Sequence, residues 1–212
     1  MRLVCLSDTH SMHRQVDVPD GDVLIHAGDC LGVGTLDELE DLNDWFGSLP
    51  HRHKILIAGN HDWCFQNDPD AARARVTQAI YLQDEGTTLD GIRFWGSPWT
   101  PVFFDWAFNL ERGAPLAERW ARIPDPTDVL ITHGPPAGIL DGVLSGLTGT
   151  HTESVGCADL KTAVERLQPP IHVFGHIHEG YGRHDWNGTL FVNACTCRAN
   201  YKPLNPPIVL DL

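Results

Sequence analysis

The sequence predicts a single α/β domain, because short apolar runs typical of buried strands alternate with amphipathic helical segments along the chain. A polar cluster follows five of these runs directly, and open α/β sheets place their functional sites at that end of the strand. The 212 residues suffice for one domain with a substantial core, and neither a linker nor a repeat divides them. We therefore expect one domain over residues 1–212.

The buried strands are expected at five apolar runs, namely residues 3–6, 23–27, 55–58, 129–131 and 171–174. The clearest helix is expected over residues 36–46, with Thr35 as N-cap and Glu38 completing a capping box. A second helix is expected over residues 155–167, where two prolines stop it. This order is that of an α/β fold.

Further strands are expected at residues 87–95, 189–194 and 208–212, where β-forming residues follow turn-like pieces. The turns are Leu89-Asp90-Gly91 and, before the second of these segments, Trp186-Asn187-Gly188. Because hairpin turns join antiparallel strands, these segments favour a second sheet that contains antiparallel pairs.

The charge balance limits the partners of the protein. Fifteen Lys and Arg against 28 Asp and Glu give a net charge of -13, which disfavours duplex nucleic acid as a partner. Carboxylates that hold cations remain compatible with a small anionic substrate. The apolar stretch at residues 3–6 is too short for a signal-peptide core, and no run approaches the roughly 20 residues of a membrane span. We expect a soluble cytoplasmic protein with no membrane partner.

The six cysteines lack paired C-x-x-C spacing, which argues against a zinc ribbon or a thioredoxin-type motif. We interpret them as buried free thiols, with a role as metal ligands as the alternative.

Five polar clusters follow the predicted strands, and each has a structural interpretation beside the functional one. Asp8 is a candidate helix cap, Asp29 a turn residue and His133 a structural histidine when each is considered alone. The clusters are Asp8-Thr9-His10, Gly28-Asp29, Gly59-Asn60-His61-Asp62, Thr132-His133-Gly134-Pro135-Pro136 and Gly175-His176-Ile177-His178.

Taken together, the clusters contain a ligand set for two divalent ions. It has two carboxylates, one amide and four imidazoles: Asp8, His10, Asp29, Asn60, His133, His176 and His178. Asp29 is the candidate bridge, and the adjacent His61 is a candidate proton donor. Since the set has no thiolate, we expect Mn, Fe, Zn or Co, and these ligands do not choose among them. The remaining histidines are interpreted as surface or locally hydrogen-bonded residues. His151, in the Gly- and Thr-rich stretch 142–152, is a partial exception because that stretch is a candidate cover for a pocket.

The ordered motifs D8-T-H10, G28-D29, G59-N-H-D62, H133 and G175-H-I-H178 resemble those of the calcineurin-like metallophosphoesterase superfamily. Longer stretches resemble its metallophosphoesterase-domain-containing subgroup: GSPWTP at 96–101, THGPP at 132–136, HVFGHIHEGYG at 172–182 and the C-terminal NPPIVLDL. The resemblance implies a four-layer α-β-β-α sandwich with two mixed β-sheets. It also implies that this chain is a metal-dependent phosphoesterase.

The resemblance further implies how the ligands are shared. Asp8, His10, Asp29 and His178 would hold one ion, and Asp29, Asn60, His133 and His176 would hold the other. A hydroxide bridging the ions would attack phosphorus, with His61 as the general acid and Asp62 keeping His61 in position.

The substrate is expected to be a small phosphodiester, and a cyclic nucleotide is one candidate. The aromatic-rich segment 94–108 and Tyr181 are candidates for base stacking, with core packing or a homodimer contact as the alternative for the segment. Two other functions stay open: a nucleotide-binding or scaffolding protein that keeps the metal site with little turnover, and a nuclease.

Overall fold

Two β-sheets pack face to face and carry helices on their outer faces, in a computed structural model that describes residues 1–145, 151–203 and 205–212. The strands are β1 (Arg2–Leu6), β2 (Val23–Ala27), β3 (His53–Ile57), β4 (Ile80–Tyr81), β5 (Glu85–Leu89), β6 (Ile92–Ser97), β7 (Thr100–Pro101), β8 (Asn109–Leu110), β9 (Val129–Thr132), β10 (Gly142–Ser145), β11 (His151–Ser154), β12 (Ile171–Phe174), β13 (Gly182–Trp186), β14 (Thr189–Asn193) and β15 (Ile208–Asp211). The α-helices are α1 (Leu36–Ser48), α2 (Cys64–Asn67), α3 (Pro69–Arg75), α4 (Ala114–Trp120) and α5 (Ala158–Leu167). Two short 3-10 helices span His13–Gln15 and His178–Gly180.

Both sheets are mixed. The first has the strand order β15-β1-β2-β3-β4 and is parallel except for β15. The second has the order β13-β14-β12-β9-β6-β5, with four parallel central strands and antiparallel strands β13 and β5 at its edges. The pairs β7–β8 and β10–β11 form small separate ladders. The expected antiparallel pairs are confirmed in the second sheet for the segments at residues 87–95 and 189–194. The expectation was wrong for the segment 208–212, because β15 pairs antiparallel with β1 in the first sheet.

The four layers follow from strands that are apolar on both faces. In β1, Leu3 and Cys5 point into the core between the two sheets, whereas Val4 and Leu6 point into the core beneath α1. This alternation is the period of two that an extended chain imposes on its side chains. Helices α4 and α5 cover the outer face of the second sheet, with Trp120 buried against it. The α-β-β-α sandwich expected from the resemblance is confirmed.

Helix α1 begins as its sequence predicts. The Glu38 amide donates to Thr35 Oγ1 at 3.2 Å, and the Thr35 amide donates to Glu38 Oε2 at 2.9 Å. These reciprocal bonds satisfy two donors that the first turn of a helix leaves without partners. The apolar stripe of the helix packs on the first sheet through Leu39, Leu42 and Phe46.

The second predicted helix was wrong at its start, because α5 begins only at Ala158. Val155 and Gly156 instead form a turn: their amides donate to the Asp141 backbone oxygen at 3.2 Å and to Asp141 Oδ2 at 3.0 Å. Cys157 caps the helix, accepting from the Leu160 amide at its Sγ. The stretch before this turn forms the β10–β11 hairpin, which the sequence did not predict. His151 begins β11, and residues 146–150 lie outside the described part of the chain.

Within the described residues, no helix has the length and the apolar character that crossing a bilayer requires.

Candidate metal centre

The site lies where the carboxyl ends of the two sheets meet. Beyond β1 and β14, Ser7 forms a parallel bridge with Cys195. Their segments are joined by bonds of 2.9 Å from the Ser7 amide to Ala194 O and from the Thr196 amide to Ser7 O. This junction brings the loops after β1, β2 and β3 against the loops after β9 and β12. Polar clusters that are far apart in sequence therefore share one space.

One group of ligand atoms comes from Asp8, His10 and His178, and these atoms all lie within 4.8 Å of one another. The Nε2 atoms of His10 and His178 are 3.4 Å apart. Asp8 Oδ1 lies 3.5 Å from His178 Nε2. One carboxylate and two imidazole nitrogens thus converge on one point, as in nitrogen- and oxygen-rich metal sites.

A second group comes from Asp29, His133 and His176, again with ligand atoms within 4.8 Å of one another. Asn60 extends this group, because its Oδ1 lies 3.0 Å from His133 Nε2, and Asp29 Oδ1 lies 3.2 Å from the same nitrogen. Asp29 also belongs to a third group, with His10 and His61. The seven side chains predicted as ligands therefore lie together, and Asp29 has ligand atoms near members of both groups.

The backbone at these positions is unusual. Asp8, His10, Asp29 and His176 have φ angles of 52°, 43°, 50° and 68°, in the left-handed region that residues other than glycine rarely adopt. Strain of this kind costs on the order of 1–3 kcal/mol per residue and clusters at functional sites. A Cβ atom at Gly175 would collide with the carboxylate of Asp8, which explains why a glycine precedes His176.

Hydrogen bonds from Nδ1 orient the imidazole rings of His133 and His178. The Nδ1–H groups of His133 and His178 donate to the backbone oxygens of Ala27 and Arg198, each at 3.0 Å. Each ring therefore turns Nε2 toward the cluster, which is the usual arrangement of metal-binding histidines. At His133 that nitrogen faces two oxygen acceptors, Asn60 Oδ1 and Asp29 Oδ1. A positive charge among these atoms, either a proton on Nε2 or a cation, balances the two oxygens, and the nitrogen and oxygen donors present fit a divalent cation.

The close contacts between imidazoles and carboxylates in the cluster also shift the pKa values of these groups. Burial would lower the pKa of His133, but the charge and hydrogen bond of Asp29 raise it to about 9. Burial acts likewise on His178, whose pKa the Asp8 carboxylate raises to about 9. Burial would raise the pKa of Asp29, but His133 holds it below its usual range. The cluster therefore attracts positive charge at neutral pH.

His61 and Asp62 have different positions in this arrangement. The Nδ1–H of His61 donates to Gly32 O at 2.8 Å, and its ring stacks on Trp106 with centroids 4.4 Å apart. The Asp62 carboxylate instead accepts from the amides of Gly59 at 2.7 Å, Leu31 at 2.9 Å and Cys30 at 3.3 Å. Asp62 thus ties together the loops that carry Asp29 and Asn60, whereas Gly32 and Trp106 orient the His61 ring.

Three hydrogen-bond donors contact the Asp8 carboxylate, and sequence reasoning missed two of them, Ser7 and Cys195. Ser7 Oγ and Cys195 Sγ both donate to Asp8 Oδ2, the latter at 3.1 Å, and the His176 amide donates to it at 3.0 Å. Oδ2 is thereby saturated with donors, and Oδ1 faces His178. Cys195 and Thr196 follow β14, so the rule that places sites after parallel strands would have pointed to this segment.

The other cysteines and histidines agree with their interpretation. All six cysteines are free and buried. His26 and His172 are buried and hydrogen-bonded to the hydroxyls of Thr9 at 2.9 Å and Thr132 at 2.8 Å.

A cavity of about 450 Å³ opens beside the cluster. The aromatic segment 94–108 divides into two parts: Phe103 and Trp106 line the cavity, whereas Phe94 and Phe108 are buried in the core. Tyr181 does not line it and donates its hydroxyl to Pro206 O. Other lining residues include Asp29, Asn60, His176, Arg112, Glu179 and Tyr201.

Tyr201 is a further residue near the metal ligands that sequence reasoning missed. Its ring centroid lies 4.9 Å from that of His10 and 5.3 Å from that of His178. It lies in the loop that follows β14, beyond the same strand end as Cys195. No motif in its neighbourhood signals a role, because an isolated tyrosine carries no spacing information.

This fold, with histidines and carboxylates gathered at the strand ends, defines a metal-dependent phosphoesterase. Residues 1–180 match the family described as calcineurin-like phosphoesterase, and the chain belongs to that family.

Similar proteins agree with this assignment. Human Metallophosphoesterase domain-containing protein 1 is 46% identical over 235 residues, covering 100% of this chain and 71% of the relative. A UPF0046 protein of Caenorhabditis elegans is 40% identical, covering 99% and 74% of the two chains. The crystal structure of phosphopantetheinyl hydrolase from Mycobacterium tuberculosis superposes with a TM-score of 0.61 at 15% identity, covering 97% and 95% of the chains. That last likeness concerns the fold alone.

Proposed function

We propose that this chain hydrolyses small phosphodiesters with two divalent ions. The observation that carries the proposal is the convergence of three buried ligand atoms at His133, whose Nε2 lies 3.0 Å from Asn60 Oδ1 and 3.2 Å from Asp29 Oδ1. The cluster of Asp8, His10 and His178 is connected to Asp29 through His10, because ligand atoms of His10 and Asp29 also lie within 4.8 Å of one another. Two such groups around one carboxylate have the composition of a two-ion hydrolytic site.

In this proposal Asp29 is shared between the ions. Asp8, His10 and His178 complete one site, and Asn60, His133 and His176 complete the other. When bound, the ions supply an activated water and neutralise the charge of the phosphoryl group. Mn, Fe, Zn and Co all suit this donor set.

His61 donates the proton that the leaving oxygen needs. Its Nδ1–H is committed to Gly32 O, so the proton that can move is on Nε2. Stacking on Trp106 fixes the plane of the ring and so the direction in which Nε2 points. The ring also lies with His10 and Asp29 in one group of ligand atoms, which keeps it beside the reacting centre.

The size and the charge of the protein support a small substrate. A cavity of about 450 Å³ admits a small organic diester, and a net charge of -13 opposes a long polyanion. Phe103 and Trp106 offer rings on which a base could stack, so cyclic nucleotides belong to the proposed class. The proposed location of the reaction is the cytoplasm.

The test is turnover of bis(p-nitrophenyl) phosphate by protein stripped with a chelator and reloaded with each of the four metals. We expect activity to reach its maximum at two ions per chain. His61→Ala should lower kcat by about 100-fold or more, the usual contribution of a general acid, without changing the metal content. His184→Ala, in exposed β13, is the matched control. Full activity in His61→Ala would show that its assigned role is wrong.

The same preparations separate the alternatives. Tight nucleotide binding without hydrolysis under any of the metals would favour a binding or scaffolding protein. Faster cleavage of a DNA or RNA single strand than of a mononucleotide diester would favour a nuclease.

A further inference from the structure

Arg112 has a distinctive place in the wall of the cavity. It lies between β8 and α4, and its side chain lines the same cavity as Asp29, Asn60 and His176. Among the described residues that form this wall, Arg112 is the single lysine or arginine. It thus introduces a permanent positive charge beside a site that handles anions.

The guanidinium is held in a fixed position by backbone oxygens. Nη1 donates to Gly156 O and Nη2 donates to Val155 O, each at 2.8 Å. The Gly156 peptide is itself anchored, because its amide donates to the buried Asp141 carboxylate at 3.0 Å. A charged group that is already oriented loses little conformational entropy when it binds a ligand.

These contacts leave the charge of Arg112 uncompensated. Arginines elsewhere in the described chain, such as Arg93 and Arg119, pair with carboxylates, whereas no ion pair within 4.0 Å involves Arg112 there. A guanidinium carries five N–H donors, and the two carbonyl contacts use two of them. In a chain with a net charge of -13, an arginine without an acidic partner is available for an anionic ligand.

We propose that Arg112 binds a second anionic group of the substrate, a carboxylate or a phosphoryl group on the ester substituent. This inference rests on the proposed function, since it concerns the substrate of the same site. The planar fork of an arginine suits both groups, because each offers two oxygens in a plane. Glu179, an exposed acid in the same wall, disfavours anions at its own position and leaves Arg112 as the point of attachment.

The test compares p-nitrophenyl phosphodiesters that share a leaving group and differ in the other substituent: propyl, 2-carboxyethyl and 2-phosphonoethyl. We expect wild-type protein to prefer at least one anionic diester over the propyl diester by about tenfold in kcat/KM, the size of one charge-assisted hydrogen bond. Whichever of the two anionic diesters has the larger kcat/KM relative to the propyl diester identifies the anionic group that Arg112 binds.

Two substitutions assign that preference to Arg112. In Arg112→Gln the ratio of anionic to propyl diester should fall to about one, and Arg112→Lys should keep part of it because the charge remains. Arg183→Gln is the matched control: it also removes a positive charge that donates to a backbone oxygen, here Val209 O at 2.7 Å, and it lies outside the cavity wall. Its ratio should equal that of wild type.

Calorimetry of the metal-loaded protein with 2-carboxyethyl, 2-phosphonoethyl and propyl phosphate gives a second measurement that requires no turnover. Equal kcat/KM and equal affinity across the substituents would overturn the inference, as would an unchanged preference in Arg112→Gln. If no diester is hydrolysed, the proposed function fails, and the calorimetric ratios still decide the role of Arg112.

Discussion

The indole of Trp106 stacks on the imidazole of His61 with a centroid separation of 4.4 Å and an angle of 28° between the rings. The same loop is fastened to the Asn60 loop by a bond of 3.1 Å from the Ala107 amide to Asn60 O. The aromatic segment therefore holds the proposed acid in place and also lines the cavity.

Replacing Trp106 should slow turnover through His61. An aromatic pair of this kind contributes roughly 0.5–1.5 kcal/mol to holding the ring in place, so Trp106→Ala should lower kcat by roughly 2- to 10-fold. Trp106→Phe should recover part of the loss because it restores a ring. Phe104→Ala is the control, since Phe104 lies in the same loop and is 88% exposed. Steady-state kinetics on bis(p-nitrophenyl) phosphate make the comparison, and an unchanged kcat in Trp106→Ala would contradict the assigned contact.

Removing the Asp62 carboxylate should destabilise the fold. Its oxygens accept from the amides of Gly59, Leu31 and Cys30, and it is fully buried. Each buried amide left without a partner costs about 1–3 kcal/mol, so Asp62→Ala should lower the free energy of unfolding by at least about 2 kcal/mol.

Urea denaturation of the metal-free protein measures this loss, with exposed Asp105→Ala as the control. If Asp62→Ala kept wild-type stability but lost turnover, Asp62 would act on catalysis and not on the connection between the loops.

Cys195 should strengthen metal binding through Asp8. Its thiol donates to Asp8 Oδ2 at 3.1 Å, and loss of such outer partners typically weakens metal affinity by about 10- to 100-fold. We expect this weakening in Cys195→Ala and a smaller one in Cys195→Ser, which keeps a donor. Cys5→Ala removes a cysteine buried between the sheets and serves as the control. Competition with a chelator gives the dissociation constants, and equal values for Cys195→Ala and wild type would exclude this role.

Acid should destabilise the protein through His172. Burial lowers its pKa to about 3, against 6.5 in the unfolded chain. Between these values the unfolded state holds one more proton, so stability is fully present above pH 6.5 and is lost as pH falls toward 3. The slope is about 1.4 kcal/mol per pH unit.

In His172→Leu, unfolding between pH 6 and 4 should therefore take up about one proton fewer than in wild type. The slope of the unfolding free energy against pH should decrease accordingly, by about 1.4 kcal/mol per pH unit. Val173→Ala, in the same strand, should shift the free energy by a similar amount at every pH. Parallel slopes for His172→Leu and wild type would show that this histidine does not titrate on unfolding.

Local patterns were sufficient to predict much of the architecture. Short continuous apolar runs located β1 and β2, and the pair Thr35 and Glu38 located the start of α1, because both signals depend on near neighbours in the chain. The strand-end rule also selected the residues that converge on the site, such as Asp29 and His133, because parallel strands present their carboxyl ends at one edge.

The partners of these residues depend on contacts that no local pattern encodes. Cys195 meets Asp8 across 187 positions of sequence, and Arg112 meets Val155 in the turn that follows a hairpin the sequence did not predict. Likewise, Asp62 follows His61 in sequence but bonds to other loops, while Gly32 orients the imidazole. Residue types and spacing predict which groups can bind a metal. The packing of two sheets decides which donors and charges surround them, because only that packing brings distant loops within hydrogen-bond distance.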